Sequence, residues 1–154
     1  GDDAPVLNVF GGKLTAYRQL AEKSLDRLLP LLDESRPAWT ATACLPGGDL
    51  PNADWQAFLE QVVAQWPDLP QPLLHRCARQ YGTRIQTLLA GVTTLVDLGE
   101  AFGGDMYARE VAYLVQHEWA RTAEDILWRR TRQGLHAPET TAAAIEQFLR
   151  NTST

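Results

Sequence analysis

From Ala53 to Leu149 the apolar residues return at intervals of three and four, with glycine or proline between the runs. That rhythm commits most of the chain to helices that each bury one face. Trp55, Phe58, Leu59, Val62, Val63 and Trp66 form one stripe, stopped at Pro67, and read as core. A second helix follows Pro70–Pro72 and runs to about Tyr81, where Gly82 ends it. Thr83-x-x-Gln86 has capping-box spacing and predicts a short helix with Ile85, Leu88 and Leu89 inside, closed by Gly91. Leu98–Asp105 carries three glycines and reads as a turn, with Phe102 held in the core. Tyr107, Val111, Leu114, Val115 and Glu118 share the face of a further helix. Thr122-x-x-Asp125 is a second capping box, ahead of Ile126, Leu127 and Trp128, and Gly134 ends that helix. Pro138-Glu139 opens a last one that buries Ile145, Phe148 and Leu149. The polar tail Asn151–Thr154 is expected to fray.

The front of the chain reads differently. Val6–Phe10 is short, apolar and β-branched, and Gly11-Gly12 follows at once, which predicts a buried strand ending in a glycine turn. Leu14, Tyr17, Ala21, Leu25, Leu28 and Leu32 then fall on one helical face. Asp33–Pro51 is broken by Pro37, Pro46, Gly47, Gly48 and Pro51, and reads as loop with a short extended piece at Thr40–Cys44. The fold class is therefore mainly α: about six helices preceded by one strand and one helix. The domain organisation expected is 1–32, a linker at 33–52, and a helical domain at 53–154.

Composition removes several function classes. A net charge of −5 disfavours nucleic acid and anionic lipid, both of which select a basic face. No apolar run approaches a membrane span, and Gly1-Asp2-Asp3 opens without the basic and apolar regions of a signal peptide, so the chain is expected to be soluble. Cys44 and Cys77 have no CxxC spacing and read as small buried apolar groups in a reducing compartment. His75, His117 and His136 read as surface or packing histidines, and His117-Glu118 lacks the HExxH spacing of a zinc site. No catalytic residue and no metal ligand is assigned. Glu118, Glu124 and Asp125 nearly balance Arg121, Arg129, Arg130 and Arg132, which points to a salt-bridged, aromatic-packed corner more than to a nucleic-acid patch.

One stretch could carry a ligand. In Phe10-Gly11-Gly12-Lys13-Leu14-Thr15-Ala16-Tyr17-Arg18 glycines precede a helix N-terminus, with a lysine and a hydroxyl beside it. Such a turn can hold an anion against backbone N–H groups, or it can be an ordinary strand-to-helix connection. It matches neither the P-loop nor GxGxxG.

The same stretch carries a resemblance that covers Val6 to Leu149. With Leu45-Pro46-Gly47-Gly48, Asp97-Leu98-Gly99-Glu100-Ala101-Phe102-Gly103 and the block His117–Thr131, in that order, the chain resembles the C-terminal part of FAD-dependent glycerol-3-phosphate dehydrogenases, the aerobic quinone-linked enzymes. The resemblance implies a large flavoprotein with an FAD-binding domain, a substrate domain and a helical C-terminal cap. The present chain would hold the end of the first and all of the last. It implies that Gly11, Gly12, Lys13, Leu14 and Thr15 contact the flavin, where a lysine and a helix N-terminus stabilise the negative charge of the reduced ring. The family pattern usually has Thr where this chain has Ala16, so no polar contact is expected there.

The resemblance further implies glycerol 3-phosphate and quinone as reaction partners, a homodimer as one possible assembly, and a peripheral place on the cytoplasmic face of a bacterial membrane. An oxygen-reacting alpha-glycerophosphate oxidase shares the turn, and a free-standing helical interaction module is the reading from a different class. The chain alone is expected to bind no FAD and to be inactive. Asp2 to about Leu14 are expected to be poorly ordered or packed on a neighbouring molecule, because a lone strand has no sheet to join.

Overall fold

A computed structural model describes residues 4–152. The expectations for Asp2 and Asp3, and for the tail at Ser153–Thr154, lie outside the described residues. The chain forms two compact units, Gly1–Leu45 and Pro46–Thr154.

The first unit is built on α1 (Tyr17–Leu28), entered through a 3-10 turn at Leu14–Ala16 and left through another at Leu29–Leu32. The predicted apolar stripe is present but uncovered. Leu14, Tyr17, Leu25 and Leu32 are all exposed, and α1 buries no residue. Two expectations are corrected here. Val6–Phe10 is not a buried strand: it joins no sheet, and Phe10 is 91% exposed. A strand exists through its neighbour's N–H and C=O groups, and the described residues offer this segment none. Thr40–Cys44 likewise is not extended but turns, with the Thr42 N–H donating to the Trp39 carbonyl at 3.4 Å.

The second unit follows the helical rhythm closely. Its helices are α2 (Trp55–Gln65), α3 (Gln71–Tyr81), α4 (Ile85–Leu88), α5 (Ala108–Glu118) and α6 (Thr140–Thr152), with a π-helical segment at Asp125–Arg130. Asp54 caps α2 by accepting from the Ala57 N–H at 3.0 Å, and α3 ends on Gly82. The inward residues of all five helices and of the π segment meet in one core, including Val62, Leu74, Ile85, Leu114, Ile126 and Ile145. Cys77 belongs to it, whereas Cys44 is exposed, against expectation.

Three local features depart from the sequence reading. The glycine-rich turn is a small antiparallel hairpin, β1 (Ala101–Gly103) with β2 (Met106–Tyr107), turning through Gly104 and Asp105 at positive φ. It still delivers Phe102 to the core, edge-on to Phe148 with ring centroids 5.4 Å apart. Thr83 does not cap α4; its hydroxyl donates to Asp49 instead, and Gly82–Arg84 forms a 3-10 turn. The reason is a crossing of backbones. Gly47 and Gly82 both have positive φ, each lies where a Cβ would strike the other's chain, and the Thr83 N–H donates to the Gly47 carbonyl at 3.1 Å. A capping box that was not anticipated sits at Thr94, where Asp97 Oδ2 takes the N–H and hydroxyl of both Thr93 and Thr94. The box at Thr122 is as expected: Thr122 Oγ1 accepts from the Asp125 N–H, and Asp125 accepts from the Thr122 N–H.

Candidate functional site

At the glycine–lysine turn the backbone is open on one side. Gly11 (φ +77°) and Gly12 (φ +129°) occupy a region that side chains disfavour, and a Cβ on Gly11 would meet nothing within 4 Å. A flat molecule can therefore approach this backbone. Lys13 is extended and begins the 3-10 turn; the Ala16 N–H is the first to close back, onto the Lys13 carbonyl at 2.9 Å. The N–H groups of Lys13, Leu14 and Thr15 precede that closure. No side chain caps this end and no acidic residue stands in its first turn, so its positive pole is not neutralised. Gly11, Gly12, Lys13, Leu14 and Thr15 are all exposed and contiguous. The set offers backbone N–H groups and one lysine to an anion.

Behind the turn, α1 is tied to the segment that follows it. Glu22 Oε1 accepts from Arg18 Nη1 at 2.8 Å and from the Thr40 hydroxyl at 2.5 Å. The Thr40 hydrogen bond, helped by Arg18, lowers the Glu22 pKa. This tie forms one wall of an open cleft of about 450 Å³ lined by Leu25, Leu29, Leu32, Pro37 and Trp39, with Arg36 at its edge.

The helical unit contains a polar cluster that the sequence reading did not single out. Glu110, 4% exposed, takes both arms of the Arg76 guanidinium at 2.8 and 2.6 Å and the Tyr81 hydroxyl at 2.6 Å. Arg76 also donates to the Asp105 carbonyl at 2.8 Å, so one side chain fastens α3 to α5 and to the hairpin. Burial depresses the Arg76 pKa, but the Glu110 carboxylate more than offsets this and the net shift is upward. Burial, and then the same carboxylate, raise the pKa of Tyr81 and push the Cys77 thiol up to about 12. Cys77 is thus a packing group without nucleophilic character at neutral pH. The signal that could have found the cluster was Glu110 itself, a charge on the face that carries Tyr107, Val111 and Leu114. All groups of this cluster are satisfied by one another, so it is a brace and not a reaction centre.

The histidines are surface groups, as expected. All three are exposed, and His117 lies against the Tyr113 ring at 5.0 Å. In the block 117–132, Arg129 pairs with Asp125 and Glu124, both at 2.8 Å, and Arg130 Nε donates to the Glu118 carbonyl. The salt-bridged corner is present, but the aromatic packing is only half there: Trp128 covers Gly134, and Trp119 projects into solvent. Among the described residues, no helix is long and apolar enough to cross a membrane.

These observations define a class: a helical domain braced by a buried ion pair, preceded in the chain by a helix whose glycine–lysine entrance carries no side-chain cap. A protein-family model described as the C-terminal domain of alpha-glycerophosphate oxidase matches residues 38–152, and the chain belongs to that family. It is 48% identical over 149 residues to a glycerol-3-phosphate dehydrogenase of Pseudomonas aeruginosa, covering 97% of this chain and 29% of the relative. It is 43% identical over 146 residues to the aerobic glycerol-3-phosphate dehydrogenase of Escherichia coli, covering 95% and 29%. A D-erythritol 1-phosphate dehydrogenase of Brucella abortus is 45% identical over 148 residues, covering 96% and 30%. The chain spans about 30% of the length of these relatives.

Proposed function

We propose that this chain is the C-terminal portion of an FAD-dependent glycerol-3-phosphate dehydrogenase, which oxidises sn-glycerol 3-phosphate to dihydroxyacetone phosphate and passes the electrons to quinone. The observation that carries the reading is the extent of similarity. At 43–48% identity it runs through 95–97% of the chain, over both the glycine–lysine turn and the helical unit. Residues 1–32 complete an FAD-binding domain, 33–52 link it to the cap, and 53–154 form the cap. In the full protein, FAD supplies the hydride acceptor. Gly11 would leave the backbone open to the flavin ring, Gly12 would supply the positive-φ bend beside it, and Lys13 with the N–H groups of Leu14 and Thr15 would bring positive charge to it. The enzyme works at the cytoplasmic face of a bacterial membrane, where quinone is available.

The test uses the full-length polypeptide, purified with its flavin. Anaerobic addition of glycerol 3-phosphate is expected to bleach the flavin, and a soluble quinone is expected to restore its colour faster than oxygen does. Bleaching by D-erythritol 1-phosphate but not by glycerol 3-phosphate would move the assignment to the substrate named for the Brucella relative. Equal or faster reoxidation by oxygen would make the protein an oxidase. No bleaching by either phosphate would remove the reading altogether.

A further inference from the structure

The end of α5 carries a conformational cost. Trp119 caps this helix with φ 55° and ψ 26°, a left-handed conformation that glycine adopts freely and a bulky aromatic adopts at about 1–2 kcal/mol. Its N–H and that of Ala120 both donate to the Leu114 carbonyl, the Ala120 bond at 3.1 Å. Backbone geometry alone would select glycine here. The indole is nevertheless present and 81% exposed, beside an open pocket of about 380 Å³ that Val115 and Arg121 also line. The loop beneath it is held firmly. Asp125 accepts from the N–H groups of Arg121 and Thr122 at 3.0 and 3.2 Å, and Glu146 accepts from the Ala123 N–H at 2.6 Å. A tryptophan and an arginine, the side chains that most often dominate interface energetics, are thus presented on a rigid loop that loses little entropy on binding.

We propose that Trp119, with Val115 and Arg121, is the anchor by which this domain docks on the N-terminal part of its own polypeptide. The proposal rests on the reading above, in which that part exists. Three observations favour this occupant. The three relatives named above devote only 29–30% of their length to it, so in each of them a much larger body is tethered to the domain. The patch is small, whereas a stable dimer of free copies buries about 800 Å² on each partner. A tethered partner needs far less, because the linker holds it at millimolar effective concentration. The surroundings also do not suit an anionic lipid surface: Arg129 is already neutralised by Glu124 and Asp125, and the chain carries a net charge of −5.

The test compares the 154-residue chain with the full-length protein. Fluorescence of Trp119, taken as the difference between wild type and Trp119→Phe, is expected to be quenched by iodide in the short chain and about threefold less in the full protein, where the docked partner excludes water. Trp119→Gly is expected to leave the melting temperature of the short chain unchanged or raised, since the strain is relieved. In the full protein it is expected to speed chymotryptic cleavage after Trp39 about fivefold, through a larger undocked population. Equal quenching in the two proteins overturns the proposal. So does a Trp119→Gly loss of stability that is the same in both, which would make the indole a packing group of the domain itself. Loss of a dimer, or of sedimentation with anionic vesicles, would assign the patch to those partners instead. Shielding of Trp119 in a full-length protein that bleaches with neither phosphate would sink the functional reading and leave this one standing.

Discussion

Glu110 shows what a single buried charge asks of its neighbours. Its two carboxylate oxygens take three donors, from Arg76 and Tyr81, and removing Arg76 would strand a carboxylate that is 4% exposed. Arg76→Met should therefore destabilise the chain by about 3–5 kcal/mol, whereas Arg76→Met with Glu110→Leu should recover most of that loss. Urea unfolding of both variants checks it: a double variant as weak as the single one would mean that the pair is not the source of the cost. The glycines make a second contrast. At Gly82 a Cβ would collide with the Gly47 backbone, and φ is +52°; at Gly91 φ is +75° but nothing lies within 4 Å. Gly82→Ala should cost at least about 2 kcal/mol and Gly91→Ala only about 1, the penalty of the left-handed backbone alone. The family-like block Leu45-Pro46-Gly47-Gly48 acquires a physical reason from this crossing, since no other residue than glycine fits at position 47.

At the scale of the elements, two aspartates hold the loop ends by accepting several donors each. Backbone N–H groups of Thr94 and Thr93, with the Thr93 hydroxyl, keep the Asp97 pKa near 2; the Arg121 N–H, Arg129 and Thr122 do the same for Asp125. A carboxyl whose pKa is lower in the folded state than the ordinary 3.8 binds its proton more readily when unfolded. Its contribution is complete above about pH 4 and is lost as pH falls towards 2. Asp97→Asn should thus lower the unfolding midpoint at pH 6, and the gap between variant and wild type should close by pH 2. A gap that persists undiminished at pH 2 would show that the carboxylate charge is not what the cap uses. The helices themselves were legible because each has one buried face and a glycine or proline stop, as α2 and α3 illustrate. The hairpin at Ala101–Tyr107 was not, because its two short strands lack alternation and their glycines serve a turn in either reading. The Thr83 cap failed for a tertiary reason: Asp49, 34 residues away, takes the hydroxyl that local spacing assigned to the helix.

For the whole molecule, the two units differ in what the sequence could disclose. The core of Pro46–Thr154 closes on itself, so periodicity alone located it. The stripe of α1 was equally regular, yet Leu14 is 89% exposed and Val6–Phe10 joins no sheet, because covering layers are a property of the fold's other parts and not of the local pattern. The glycine–lysine turn was legible as backbone geometry, while the ligand proposed for it came only through resemblance. That asymmetry sets the final expectation. Gly11–Thr15 are all exposed, and so few contacts are too little to meet the entropy of association, so the 154-residue chain should remain colourless after dialysis against FAD. In the full-length protein Lys13→Ala should make the flavin midpoint potential more negative, because the reduced, anionic ring loses a positive neighbour. Turnover should fall on the order of tenfold, the equivalent of about 1.4 kcal/mol in the barrier. Spectroelectrochemical titration separates this from a folding defect: the flavin content would stay at wild-type level while the potential moves. An unchanged potential with slower turnover would take Lys13 away from the ring and leave the two glycines as the turn's only claim to it.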